Sequence, residues 1–544
     1  MATGWIYDWA PRFAGDGAPR ARGGLARRKA RPPLWAAIAL GAFGLVACRP
    51  EASLADEPAV ARDESAPATG DGATGVKSNP PSAAATGGLP PNIDGLAVVA
   101  AIESALQNAI ATAEKSVVAI ARVKRPEREE PPFDRHIDPF GRQLQPTAPS
   151  PGDPDFIPND FGAGVVVDRD GLILTHYHVL GEVNRNDYYV STAAHRVYKA
   201  RVKSADPRSD LAVLSVDAHD LTPIKMGDGG AVKKGQIVIA LGNPYAIARD
   251  GQVSASWGIV ANLSRKSPPT SRDDLRKAGE VTLHQYGTLI QTDAKLNLGS
   301  SGGALVDLKG EMIGLLTATA AVAGYEQPAG YAVPTDETFR RVIETLKQGR
   351  EAEYGLLGIT PGNLRSDAIL AGKRGMQIAQ VKPGGPASQA GLAMGDVITH
   401  INGQPIYDAD GLVLQVGKQP PDTVVALTFE RDERVRKVNV PLAKFPVKGK
   451  IITTSAPPSW RGLTVDYSTA KELYQNDLVV TAVTQDSPAW AAGVRPEMHI
   501  RDVAGAPVNS PKQFHALVGA RSGPVRLTVN DGLYDRQMTV GAGE

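Results

Sequence analysis

The sequence predicts a mainly β protein built from several domains, and three observations carry that prediction. At 544 residues the chain is longer than one hydrophobic core supports, so three or four domains plus linkers are expected. Gly at 57 and Pro at 42, with only 6% aromatics, indicate many turns and short strands, part of the excess lying in low-complexity segments. Short Val, Ile and Leu runs also recur between Gly and Asp turns from about residue 160 to residue 334. Lys plus Arg total 59 against 58 Asp plus Glu. The net charge of +1 offers no field to a polyanion, so no nucleic-acid partner is expected.

From the N-terminus, residues 1–33 carry seven basic and two acidic side chains and precede an apolar run at 34–47 that only small residues interrupt. That is the layout of an export signal. The run of 14 residues is shorter than the ~20 a membrane-spanning helix needs, so a stable transmembrane anchor is the weaker reading. Cys48 is the only cysteine, which rules out an intrachain disulfide, a Cys-rich zinc site and a redox pair. Leu45-Val46-Ala47-Cys48 resembles the lipobox of bacterial lipoproteins, which would make Cys48 a lipidation site. The alternative is an ordinary signal peptide, or an uncleaved anchor, that happens to hold a cysteine. Either way the body of the protein is exported.

Residues 49–92 are Ala, Pro, Gly, Ser, Asp and Glu with almost no large apolar side chains, too few to offset the entropy of ordering them, and read as a disordered tether. Apolar residues at helical spacing follow over about 93–113, and residues 117–123 read as a first strand. Residues 124–160 are rich in Pro and charge and read as a long loop. An amphipathic helix over about 335–349, with Phe339, Val342, Ile343 and Leu346 on one face, closes the first folded unit. Beyond it, Gly385-Pro386-Ala387-Ser388-Gln389-Ala390-Gly391-Leu392 is echoed by Ser487-Pro488-Ala489-Trp490-Ala491-Ala492-Gly493-Val494. The offset of about 102 residues marks a duplicated domain rather than a short solenoid repeat.

The strongest chemical signal is Asn297-Leu298-Gly299-Ser300-Ser301-Gly302-Gly303-Ala304-Leu305. A serine hydroxyl is a poor nucleophile until a base takes its proton, and the oxyanion formed on attack needs donors about 3 Å away. A glycine at 299, two residues before Ser301, permits a turn that aims its N–H, with that of Ser301, at the developing charge. Gly302 and Gly303 let the chain pass closely behind. Read alone, such a run has a Gly/Ser turn without chemistry as its lesser alternative, so partners are required. A strand-like run ends in two histidines, His176 and His178, of which only one can be the base. Asp206-Pro207-Arg208-Ser209-Asp210, just before an apolar strand, offers a carboxylate to hold the imidazole tautomer. The chain order His, Asp, Ser is that of chymotrypsin-like enzymes.

Together these segments resemble the HtrA (Deg) family of trypsin-like serine proteases over about residues 115–541. The family's Thr-Asn-x-His-Val corresponds to Thr175-His176-Tyr177-His178-Val179, which makes His178 the base and leaves His176 where the family usually has Asn. Its Asp-Pro-x-x-Asp-Leu-Ala falls on Asp206 to Ala212 and makes Asp210, not Asp206, the triad carboxylate. Its Gly-Asn-Ser-Gly-Gly falls on Gly299 to Gly303, with Ser300 in place of Asn. Leu241-Gly242-Asn243-Pro244 and Leu289-Ile290-Gln291-Thr292-Asp293-Ala294 are further family-like stretches. Leu296 matches the apolar residue that lines the specificity pocket of relatives, implying cleavage after small or medium aliphatic residues. Lys295 would favour an acidic residue there if it entered the pocket. A solvent-directed side chain is expected, because a buried unpaired lysine is costly. Leu298 replaces the family's frequent Pro.

Leu356, Leu357, Gly358 and Ile359 resemble the carboxylate-binding loop of an HtrA-type PDZ domain, where consecutive N–H groups capture a peptide C-terminus and the peptide adds a strand. The second repeat has Trp460-Arg461-Gly462-Leu463 at that position, so its fold is expected more firmly than its peptide binding. The resemblance thus implies two six-stranded chymotrypsin-like β-barrels followed by two PDZ (α+β) domains. The expected boundaries are a leader at 1–48, the tether at 49–92, the protease at 93–349, and PDZ domains at 350–446 and 450–541. The implied function is a cell-envelope serine endopeptidase that degrades unfolded or misfolded proteins, in protein quality control and stress response. C-terminal peptides at the PDZ domains, a trimer-based homo-oligomer, a lipid-anchored attachment to membrane and the absence of any metal or organic cofactor are implied with it. Asp138-Pro139-Phe140 lies where relatives carry aromatic oligomer or regulatory contacts. Two other readings stand beside this one: a proteolytically silent PDZ scaffold or holdase, and a hydrolase acting on a non-peptide ester.

Overall fold

The computed structural model describes residues 95–125, 158, 160–243, 251–266, 282–317, 330–447, 449–468 and 478–542. The leader with Cys48, the tether and Asp138-Pro139-Phe140 lie outside the described residues.

A helix, α1 (Gly95–Ala113), leads into the first barrel and buries Ala109 and Ala113. The barrel consists of β1 (Val117–Lys124), β2 (Asp160–Val166), β3 (Leu172–His176), β4 (Asn186–Ser191), β5 (Val197–Asp206) and β6 (Leu211–Ser215). It closes in the order β1-β2-β3-β6-β5-β4, with antiparallel pairing throughout. The second barrel consists of β7 (Ile237–Gly242), β8 (Ser254–Arg265), β9 (Leu289–Thr292), β10 (Ala304–Val306), β11 (Met312–Thr317) and β12 (Gly330–Pro334), closed in the order β10-β11-β12-β9-β8-β7.

Successive side chains of a strand point to opposite faces, and here both faces are buried. In β6, Ala212 and Leu214 fill the first barrel with Val118, Ile120 and Ile173. Leu211 and Val213 point the other way, into a cluster shared with Ile239, Leu241 and Ala304 of the second barrel. This explains why β6 reads as an unbroken apolar run rather than an alternating one. The shared cluster holds the barrels side by side, so the loops at their facing ends meet. Helix α3 (Glu337–Lys347) returns to the first barrel, capped by Asp336, whose carboxylate accepts from Phe339 N at 2.9 Å. It buries Phe339, Val342, Ile343 and Leu346, the four residues of its predicted face.

Two smaller sheets follow. In the first, Ile359–Gly362, Met376–Val381, Val397–Ile401, Val424–Arg431 and Arg434–Pro441 lie in that order, with a helix Ala409–Gly417 capped by Asp408. In the second, Leu463–Tyr467, Leu478–Val483, His499–Val503, Val525–Asn530 and Asp535–Val540 repeat the order, with a helix Pro511–Gly519 capped by Ser510. The short helices Pro386–Gln389 and Pro488–Ala491 start at 386 and 488, a separation of 488 − 386 = 102. Lys444 is buried where three segments join, paired with Glu351 at 3.2 Å, Glu353 at 3.3 Å and Asp466 of the second sheet at 2.9 Å. A buried ammonium keeps its charge only with such partners, so this cluster ties the second repeat to the first and to the segment leaving α3.

Candidate active site

β3 ends at His176 and runs directly into a one-turn helix, α2 (Tyr177–Leu180), which carries His178. The turn between β5 and β6 supplies Asp210, in the left-handed region at φ 56°. That conformation costs a non-glycine residue about 1–2 kcal/mol, less for Asp, whose short side chain bonds locally. The strained backbone folds the carboxylate back onto α2. Oδ1 accepts from His178 N at 3.0 Å, and Oδ2 lies 2.7 Å from His178 Nδ1. Burial alone would push the Asp210 carboxyl up, but His178 and His176 beside it hold it well below the usual carboxylate range. For His178, burial pulls downward, and the charge and hydrogen bond of Asp210 outweigh it and raise the imidazole above its ordinary value. The side chain remains 44% exposed.

The turn itself is held at three consecutive carbonyls. Arg208 O accepts from Leu283 N at 2.9 Å, Ser209 O lies 2.9 Å from His284 Nε2, and Asp210 O accepts from Tyr177 N at 2.9 Å. His176 Nδ1 is also 2.9 Å from Asp210 O, while its Nε2 is 2.9 Å from Leu316 O in the second barrel. Asp206, four residues before Asp210, has a different task. Its buried carboxyl accepts from Ser209 N at 3.0 Å, Ser209 Oγ at 2.5 Å and the hydroxyl of Tyr354, which precedes the first small sheet. Burial pushes this carboxyl up.

Ser301 is 8% exposed on the loop between β9 and β10. Its carbonyl accepts from Ala163 N at 2.8 Å, and Gly302 N donates to Leu316 O at 2.8 Å, which fixes the loop to both barrels. Gly299 has φ +93°, and a Cβ there would lie 2.3 Å from Asn243 O and 2.6 Å from the Phe161 ring. At Gly302, with φ +87°, it would lie 2.1 Å from Ala163 O. Both positions therefore exclude any side chain. Ser300 N turns back to Asn297 O at 3.0 Å. Behind the loop lies a cavity of about 260 Å³ lined in part by Leu296, Asn297, Ser300 and Leu316. Leu296 also abuts Gly330, where an added Cβ would lie 3.0 Å from its Cδ1, and Lys295, an exposed residue, lines the same cavity, its carbonyl accepting from Ser256 Oγ at 2.9 Å.

At the predicted peptide loop, Leu357 is buried in the first repeat's core and Gly358 has φ +78°. Leu357 O accepts from Ala387 N at 3.0 Å, Gly358 O accepts from Lys382 N at 2.9 Å, and Ile359 opens the terminal strand. Cys48 lies outside the described residues. The sequence reading missed three contributors: His176 as a two-sided contact, His284 and Tyr354. Only His176 carried a signal, its departure from the family's Asn. Among the described residues, His176, His178 and Asp210 form the one group whose ligand-type atoms lie within 4.8 Å of one another. Both ring nitrogens of His176 and Nδ1 of His178 already face carbonyl or carboxylate oxygens, an arrangement that spends them on hydrogen bonds.

Comparison with known proteins finds relatives for both parts of the chain. A trypsin-like peptidase domain matches residues 162–315, and a PDZ domain matches residues 355–442. The periplasmic serine endoprotease DegP of Salmonella typhimurium is 30% identical over 377 residues, covering 68% of this chain and 74% of the relative. A probable periplasmic DegP-like serine endoprotease of Pseudomonas fulva is 31% identical over 400 residues, covering 71% and 79%. The periplasmic pH-dependent serine endoprotease DegQ of Escherichia coli is 29% identical over 409 residues, covering 73% and 83%. Among solved structures, an HtrA-type protease AlgW with a decapeptide aligns at 26% identity and a TM-score of 0.47, over 62% of this chain and 98% of that one. The relatives are proteases by name, which favours proteolysis over a silent scaffold. The chain therefore belongs to the HtrA (Deg) family of trypsin-like serine proteases with PDZ domains.

Proposed function

We propose that Ser301 is the nucleophile, His178 its general base and Asp210 the carboxylate that orients the base. His178 Nδ1 is engaged by Asp210, so Nε2 is the nitrogen left to take the Ser301 proton as Oγ attacks a peptide carbonyl. The amides of Gly299 and Ser301 hold the oxyanion, the amine leaves with the proton from His178, and water then hydrolyses the acyl-enzyme. The observation that carries this reading is the 2.7 Å contact between His178 and a carboxylate aimed by a left-handed backbone.

Leu296 gives the pocket an aliphatic preference; Lys295 lines the same cavity at its exposed rim, and its ammonium stays in solvent. The protein acts in the periplasm, as the names of its relatives favour, with the leader as its export signal and Cys48 as a lipid anchor. Its substrates are unfolded or misfolded envelope proteins, its assembly is trimer-based, and the 356–359 loop of the first PDZ domain captures peptide C-termini. The domain boundaries follow the sequence reading: 93–349, 350–446 and 450–541.

The test is β-casein cleavage by the full chain beside Ser301→Ala, with and without peptides ending in apolar residues. Cleavage lost in the variant and stimulated by peptide is expected. Cleavage retained by the variant, or none by either form with peptide binding intact, overturns the assignment. Because Asp210 keeps the His178 imidazolium to a pH above its ordinary value, the rate should climb as pH rises through that raised value. A flat profile from about pH 5 to 8 would remove His178 as the base.

A further inference from the structure

His176 is fully buried at the end of β3, yet it touches both halves of the active site. Its Nδ1 is 2.9 Å from Asp210 O and 3.3 Å from Asp210 Oδ2. Its Nε2 is 2.9 Å from Leu316 O, and that same carbonyl accepts at 2.8 Å from Gly302 N, the residue after Ser301. Carbonyl oxygens only accept, so both ring contacts are hydrogen bonds together when each nitrogen carries a proton. The two lone pairs of Leu316 O are then filled, one by His176 and one by the nucleophile loop. The ring also stacks on His178, centroids 5.0 Å apart and planes at 20°.

We propose that His176 is a positioning residue: it shares the Asp210 carboxylate with His178 and, through Leu316 O, sets the spacing between that pair and the Ser301 loop. The inference rests on the assignment of His178, Asp210 and Ser301 above. A donor on Asp210 draws on the carboxylate's charge and tempers its hold on the His178 proton. Removing that donor leaves Asp210 to bind the imidazolium more strongly, so the acid limb of the rate profile moves to higher pH. Removing the contact with Leu316 instead loosens the nucleophile loop, which lowers the turnover rate without moving the limb.

The titratable groups around His176 are Asp210, His178 and His284, with Arg122 acting on His178. His284 is silent over the working range. Burial pulls it down to about 4, and its Nε2 gives its proton to Ser209 O while Nδ1 accepts from Thr288 Oγ1 at 2.8 Å.

Two neutral replacements separate the two contacts. An asparagine amide reaches where Nδ1 sits, and a glutamine amide reaches where Nε2 sits. His176→Gln is expected to keep the Leu316 contact and shift the acid limb of kcat/KM upward by roughly half a pH unit, with kcat on the alkaline plateau within about twofold. His176→Asn, which keeps a donor on Asp210, is expected to shift the limb less than His176→Gln does and to lower plateau kcat about tenfold. The profiles are measured on the full chain with casein from about pH 5 to 9. An acid limb left in place by His176→Gln overturns the proposal, as does an equal loss in both variants at every pH. His178→Ala and Ser301→Ala run alongside: activity in either refutes the triad, whereas their inactivity beside unaltered His176 variants refutes only this proposal. If the variants fail to fold, ring ¹⁵N spectra of the unaltered protein decide. A slowly exchanging ring N–H on Nε2 of the buried His176, held by the Leu316 carbonyl, supports the proposal, and the lack of one overturns it.

Discussion

The two PDZ-like repeats place the same elements in the same order and differ at the edge where a peptide would add. In the first, Gly355–Leu356 pairs away from the sheet with Ala443–Lys444, which leaves Ile359–Gly362 as a terminal strand. In the second, Ser459–Trp460 folds back on Leu463–Tyr467, with Ser459 opposite Thr464 and Trp460 opposite Leu463. The turn between them is Arg461 and Gly462 at φ 50° and 81°, the two positive values that a tight hairpin demands. Arg461 then locks it, donating to the carbonyls of Val540, Gly541, Ser522 and Gly523 at 2.6–3.1 Å. Where the first repeat buries Leu357 in its core, the second spends an arginine on closing its own edge. A shared sheet order thus fixes the module and leaves its binding site to a handful of loop contacts.

The largest expected effect is all-or-none. A labelled peptide ending in an apolar residue should bind the full chain with a stoichiometry of one per chain, measured by fluorescence anisotropy titration at concentrations well above Kd. A stoichiometry of two would mean that the hairpin of the second repeat opens, and would erase the difference. Next in size is Leu357→Ala. It removes a buried core side chain and should cost the first repeat about 2–5 kcal/mol, read by denaturant unfolding or as lost amide protection in residues 376–442.

Equivalent glycines give a subtler test. At Gly462 a Cβ would lie 2.3 Å from Ser487 Cβ, whereas at Gly358 its nearest neighbour would be Pro386 Cδ at 3.2 Å. Both residues have positive φ, so alanine costs each about 1–2 kcal/mol from backbone strain. Gly462→Ala should cost about 1–3 kcal/mol more from the clash. Equal losses at the two sites would show that the hairpin yields, and that the closed edge is a soft feature.

What could be read from the sequence follows the same division between local and distant contacts. Gly299 and Gly302 stood out because their positions admit no side chain, and the apolar face of α3 stood out because its period is local. His176 could be flagged only as a departure, because its two partners are main-chain carbonyls 34 and 140 residues away. Tyr354 carried no local signal, because its hydroxyl reaches Asp206 across 148 residues. No spacing rule announces such contacts. The hairpin of the second repeat was half visible, since Arg461-Gly462 is a turn dipeptide, but the carbonyls that hold Arg461 come from two other segments.

The smallest expected effect sets the same helix position in the two repeats against each other. The helices start at caps Asp408 and Ser510, so Val413 of the first corresponds to His515 of the second. His515 stands edge-on to Phe514, ring centroids 5.3 Å apart, and burial lowers its pKa. The folded module therefore takes up a proton less readily than the unfolded chain does. Its stability is intact above the unfolded histidine value and declines as pH falls through it, because the unfolded state then binds more protons. The first repeat carries valine there and has no such term at that position. Hydrogen exchange read in residues 478–540 and 376–442 separates the two modules. Lowering the pH from about 7.5 to 5.5 should reduce protection in the second more than in the first, and His515→Gln should remove that excess. An excess that survives the substitution would place the acid sensitivity elsewhere in the second repeat, and would break the correspondence between sequence and stability at this position.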